Sequence, residues 1–118
     1  MSDERPLAIV FFRSDAGNEP VREWLQDLNR DERKVIGSDI LAVQYAWPIG
    51  KPLVDHLDAS IWEVRSKLRD RIARVLFSVV EQEIVLLHGF IKKTQATTKR
   101  DLALAKSRFR KYRTYYEK

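Results

Sequence analysis

Hydrophobic positions along the chain change period several times, and each change marks an element. Leu7-Ala8-Ile9-Val10-Phe11-Phe12 is a short apolar, partly β-branched run that predicts a buried strand. Asn18-Glu19-Pro20 sets a capping residue ahead of a proline, the arrangement of a helix opening. Val21, Trp24, Leu25 and Leu28 follow at helical spacing, so residues 19–29 are expected to form an amphipathic helix. Asp31 is placed to cap a second helix, in which Val35, Ile36, Ile40, Val43 and Trp47 recur at three- and four-residue steps. Pro48 and Gly50 stop it, because proline disfavours helical geometry in the residue before it. The two helices are read as a hairpin.

The period then shortens to two. Leu53 to Leu57 is a weak strand candidate. In the run Ile61 to Leu68, Trp62 and Val64 share one face while Glu63, Arg65 and Lys67 share the other. Arg71 to Val80 reads as the next strand. Glu81-Gln82-Glu83 turns it into Ile84-Val85-Leu86-Leu87-His88-Gly89-Phe90, and so short a turn implies antiparallel pairing. Thr98-Lys99-Arg100-Asp101 has the spacing of a capping box, and Leu102, Ala105, Phe109, Tyr112 and Tyr116 continue as one stripe of a helix over about 98–116. The order predicts a single α+β domain over residues 1–118, with helices packed to one side of a small antiparallel sheet of four to five strands.

Composition sharpens this picture in two ways. The chain has no cysteine, which excludes disulfides, thiolate ligands and cysteine nucleophiles. Its charge is uneven: ten of the 22 Lys and Arg residues fall between Lys92 and Lys118, against two of the 17 acidic ones. The first 91 residues are therefore net negative, and the positive field belongs to the last quarter. Such polarity suits a polyanion, either nucleic acid or an acidic protein segment, although a solvated basic helix is the plainer reading. The charged start Met1 to Arg5 and the short apolar run after it match neither a secretory signal nor a membrane span of ~20 residues, so a soluble, cytoplasmic protein without membrane contact is expected.

Most chemistries find no residues to carry them. His56 and His88 lie on separate elements without a partner at metal-ligand spacing, and neither a glycine-rich phosphate loop nor a Gly-x-Ser-x-Gly elbow is present. No metal and no cofactor are expected. What remains is a set of cations on predicted strands: Arg65 and Lys67, Arg71, then Arg74 inside an apolar strand, then His88 with Lys92 and Lys93 close behind. An arginine on an apolar strand must reach a partner or a cleft, because an unpaired buried guanidinium is too costly. Either Arg65 and Arg74 are held by Glu63 or Asp70, or they meet His88 and the lysines on one concave face. The second arrangement suits metal-free RNA cleavage. There the 2′-hydroxyl attacks the adjacent phosphorus, cations stabilise the phosphorane, and an acid protonates the departing 5′-oxygen. Arginine supplies forked donors for phosphate oxygens, and lysine or histidine can carry protons.

Taken together, Pro20-Val21-Arg22-Glu23-Trp24-Leu25, Trp62-Glu63-Val64-Arg65, Arg71 to Phe77, Leu86 to Lys93 and Thr98 to Leu102 resemble the phage-derived, HigB-like branch of RelE-type toxins. The resemblance spans roughly residues 7–106 and lies in the order and spacing of these motifs. It implies a microbial-RNase-type fold, a twisted antiparallel sheet with two N-terminal helices on one side. It also implies ribosome-dependent mRNA cleavage, inhibited translation and neutralisation by a cognate antitoxin, typically a helix-turn-helix protein that contacts operator DNA as a complex. By position, the phosphate-binding arginine falls on Arg74, the earlier sheet arginine on Arg65, and the basic residues after the last strand on Lys92 and Lys93. Several relatives use tyrosine or an Asp-Tyr-His cluster at the end of the sheet. Here Thr94-Gln95-Ala96-Thr97 stands there instead, so the general base is left among Lys92, Lys93 and His88.

Further basic residues, Lys67, Arg71, Lys99, Arg100, Arg108, Arg110, Lys111 and Arg113, are candidates for RNA contact through charge. Three functions follow from these residues: an endoribonuclease toxin, a non-catalytic RNA- or ribosome-binding module, and an interaction domain whose basic face seats an acidic antitoxin segment.

Overall fold

A computed structural model describes residues 5–92 and 96–116 of the chain. Eight elements follow in order: β1 (Ala8–Phe11), α1 (Pro20–Asp27), α2 (Arg30–Ala46), β2 (Val54–Asp58), β3 (Ile61–Lys67), β4 (Ile72–Val80), β5 (Glu83–Lys92) and α3 (Lys99–Tyr116). The strands form one sheet in the order β1-β5-β4-β3-β2. From β2 to β5 each neighbour is antiparallel, but β1 lies parallel to β5, so the sheet is mixed and not wholly antiparallel as the sequence suggested. The physical reason is the helical hairpin: it carries the chain across the sheet between β1 and β2, which a tight turn cannot do.

Helices cover both faces of the sheet, not one. Val21 of α1 and Ile36, Ile40 and Val43 of α2 pack against Val64, Val75, Phe77, Ile84 and Leu86. On the opposite face, Ala105, Phe109 and Tyr112 of α3 pack against Ile61, Leu76, Val85 and Leu87. Each large apolar side chain so enclosed contributes about 1.5–3 kcal/mol. The double cover explains why Ala73 to Ser78 are buried at every position, whereas a strand with one solvated face alternates. By contrast β1 is an edge strand with Ile9 39% exposed; only its flanks Leu7 and Phe12 are buried.

Local chemistry decides the element ends. Asn29 caps α2, accepting from the Glu32 backbone N–H at 2.8 Å, so the cap falls two residues before Asp31. Asn18 does not cap α1; Glu19 holds that position, and the Glu23 carboxylate reaches back to the Glu19 N–H at 3.1 Å. The capping box of α3 is present, with the Asp101 N–H donating to Thr98 Oγ1 at 3.1 Å. Farther along, α3 is tied to the sheet by Lys106 to Asp58 at 2.8 Å, Arg108 to the Leu87 carbonyl at 2.8 Å, and the Tyr112 hydroxyl to Glu83 at 3.0 Å. No helix among the described residues is long and apolar enough to cross a membrane.

Candidate functional site: cations and carboxylates beneath the start of α3

Strand alternation sends Glu63 and Arg65 of β3 to the face that α3 covers, and the register pairs Arg65 with Arg74 of β4. In β5 the pairing shifts: Phe77 faces Leu86 but Leu76 faces His88, leaving Leu87 as an extra residue. This bulge restores the alternation that His88, Phe90 and Lys92 need to lie beside Arg74 and Ile72 on the α3 face. Arg65, Arg74, His88 and Lys92 thus occupy neighbouring positions on a single face. Lys93 lies outside the described residues, as does the side chain of Tyr116.

Two carboxylates organise these cations. Glu63 is fully buried, and its Oε1 accepts from Arg65 Nε and Arg74 Nη1, both at 2.8 Å. Its Oε2 accepts from the Thr97 hydroxyl, on the segment leading into α3. Arg65 also reaches Asp55 at 3.3 Å and keeps 35% of its side chain exposed. Arg74 is 4% exposed and closed in by Glu63; its Nε is buried without a hydrogen-bond partner among the described residues. The pairing with Glu63 allowed by the sequence is therefore realised, while Asp70 pairs with Arg71 instead.

Asp101, in the first turn of α3, gathers the second group. Its Oδ1 lies 2.9 Å from His88 Nε2, and its Oδ2 accepts from Lys92 Nζ at 3.1 Å and the Thr98 hydroxyl at 2.7 Å. Burial raises the Asp101 pKa, but the bonds from His88, Thr98 and Lys92 outweigh it and bring the carboxyl down to about 2. An ionised carboxylate only accepts, so His88 carries its hydrogen on Nε2. In the neutral ring Nδ1 is then the basic nitrogen. Lys92 also lies over the Phe90 ring, 5.2 Å from its centroid. Asp101 read from sequence as a cap alone; its second task shows only when α3 is seated over β5.

The other basic candidates are dispersed. Arg71 turns toward the helical hairpin and pairs with Glu32 of α2. Lys67, at the end of β3, and Lys99 and Arg100, in the first turn of α3, are exposed. Arg108 is turned inward against the Leu87 carbonyl and the Phe12 ring, and its burial lowers the guanidinium pKa. Arg110, Lys111 and Arg113 remain on the exposed side of α3, Lys111 beside Asp15 at 3.3 Å and Arg113 over Phe109. Among the described residues no group of three or more His, Cys, Asp or Glu side chains is placed to hold a metal ion.

The sequence profile of a family described as phage-derived protein Gp49-like (DUF891) matches residues 23–110, from α1 through most of α3. The chain belongs to the Gp49-like family. This family is related to the HigB-type toxins of the RelE superfamily. The Gp49-like match encloses Glu63, Arg65, Arg74, His88, Lys92 and Asp101 alike, so the whole candidate site lies inside the family's own region. A comparison with curated protein sequences gives no match.

Proposed function

We propose that this chain is the toxin of a toxin–antitoxin pair, and that it cleaves translated mRNA on the ribosome in the cytoplasm without a metal. The observation that carries the reading is the His88–Asp101 contact, which Lys92 shares, on the same face of the sheet as Arg65. Relatedness of the Gp49-like family to HigB-type toxins supports the same reading.

Each residue has a distinct task in this mechanism. Arg65 and Lys92, both partly exposed, meet the phosphate oxygens and stabilise the charge that builds on the phosphorane. His88, oriented by Asp101, accepts the 2′-hydroxyl proton on Nδ1. The 2′-oxygen then bonds to phosphorus as the 5′-oxygen departs, leaving a 2′,3′-cyclic phosphate and a 5′-hydroxyl. The departing oxygen takes its proton from Lys92 or from Lys93. Arg74 is too enclosed to touch RNA in this conformation; it acts as a positioning residue, fixing Glu63 and through it Arg65. Neutralisation falls to a cognate antitoxin of helix-turn-helix type, through which alone operator DNA is contacted.

A second reading has an observation in its favour. Glu63, Asp55 and Asp101 offset the cations on the face, which suits a module that inhibits translation by occupancy alone. Inducible expression of wild type, His88→Ala and Lys92→Ala, with mapping of mRNA 5′ ends, separates the two. Codon-positioned cuts and toxicity lost together in both variants support cleavage. Toxicity without cuts in the wild type refutes it.

A further inference from the structure

A concavity lies at the other end of α3, away from the carboxylate–cation site. It encloses about 400 Å³ between the segment following β1 and the last turns of α3. Phe12, 4% exposed, supplies apolar wall; Arg13 and Lys111 supply cations; Tyr115, 70% exposed, stands at the rim. The loop is shaped for this. Gly17 takes a φ of +91°, the Ser14 hydroxyl accepts from the Asn18 N–H at 3.1 Å, and the Arg13 guanidinium packs over Gly17. Asp15 also lines the cavity and pairs with Lys111 at 3.3 Å, but it is 90% exposed. So open an ion pair is weak and yields readily to a better anion.

We infer that this cavity is a seat for one unpaired nucleotide of single-stranded RNA, with the base on the Tyr115 ring and the phosphate between Arg13 and Lys111. Volume, charge and an aromatic platform agree on this ligand. A cavity of this size is within the range that holds small organic ligands. Cations along a groove with a solvent-facing aromatic ring are the features by which proteins grip single strands without reading sequence. An acidic peptide would use the cations but would leave the ring idle. Placement agrees as well. Asp101 and Lys111 are ten residues apart on one helix, about 15 Å at 1.5 Å per residue. A stacked strand at ~3.4 Å per nucleotide spans that in four or five nucleotides. RNA leaving the first site along α3 thus reaches the second within one short segment. The inference deepens the RNA-binding part of the proposed function, yet it does not need the chain to cut.

The test is fluorescence anisotropy of labelled hexa-adenylate RNA with wild type and the variants Tyr115→Ala, Tyr115→Trp and the pair Arg13→Ala/Lys111→Ala, at low salt. Tyr115→Ala should weaken binding roughly tenfold, and Tyr115→Trp should keep it. The double variant should flatten the dependence of affinity on salt. Tyr115, Arg13 and Lys111 are exposed, so unchanged melting temperatures confirm that folding is intact. Three results overturn the inference: wild type that does not bind the RNA, alanine and tryptophan variants that both bind like wild type, or hexa-glutamate that competes as well as adenosine monophosphate. Failure here with His88-dependent mRNA cuts intact would sink the nucleotide seat alone; loss of the cuts with Tyr115-dependent binding intact would sink cleavage alone.

Discussion

Replacing Glu63 with alanine strips Arg74 of its counter-charge at a position that is 4% exposed. Removing one partner of a buried ion pair costs about 3–5 kcal/mol, because the remaining charge has no water to turn to. Arg65 adds little to this figure, since 35% of its side chain is exposed and Asp55 remains as a partner. Total stability for a domain of this kind is on the order of 5–15 kcal/mol, so the loss removes about a fifth of it or more. For a chain of this size the melting temperature should fall by roughly 10–20 °C. Urea unfolding followed by circular dichroism at neutral pH measures the difference directly. The double replacement Glu63→Leu with Arg74→Met should recover most of the loss, since an apolar pair of similar volume avoids desolvating either charge. Arg65→Ala should cost no more than about 1 kcal/mol. The reasoning is refuted if Glu63→Ala lies within 1 kcal/mol of wild type, or if the double variant is no better than the single one.

Two other perturbations probe the seating of the helices. Asp101 titrates near 2 when folded, below its ordinary 3.8, so its contribution is complete above about pH 4 and fades as pH falls toward 2. Asp101→Asn should therefore be less stable than wild type by about 2 kcal/mol at pH 6, with the gap closing near pH 2; an equal gap at both pH values in urea melts contradicts the assignment. A Cβ on Gly89 would lie 2.6 Å from Trp24 Cζ3, so Gly89→Ala should destabilise by about 1–3 kcal/mol. Adding Trp24→Leu should make the double variant more stable than the two single effects sum to, and strict additivity in a denaturant cycle speaks against that close approach.

Much of the fold could be read from period alone. The alternation of Trp62 and Val64 with Glu63 and Arg65 located β3 and assigned its faces correctly, and the stripe from Leu102 to Tyr112 located α3. What period cannot say is which face of a sheet an amphipathic helix will choose. With α3 placed beside α1 and α2, Glu63 and Arg65 would have stood in water; with α3 across from them, they are covered. That choice also turned an accessible phosphate ligand at Arg74 into an enclosed side chain. The sequence did allow Glu63 as its partner, because the two are charged, opposite and a strand apart. Asp101 was harder, since a single carboxylate capping a helix and orienting a histidine shows only one of those tasks in sequence. The parallel placement of β1 was likewise hidden, because an apolar run carries no mark of its direction.

Among the described residues, residues 8–11 find their only sheet neighbour in residues 83–86. During synthesis the first strand therefore waits, its apolar side chains unsheltered, until the fifth has left the ribosome. The closing carboxylate arrives later still, at Asp101. A prematurely halted chain ending before that residue has neither the orienting group for His88 nor the helix that dries the face. Completion is thus close to all-or-none with respect to chain length, and a broken message yields fragments without the assembled site rather than a partly competent protein.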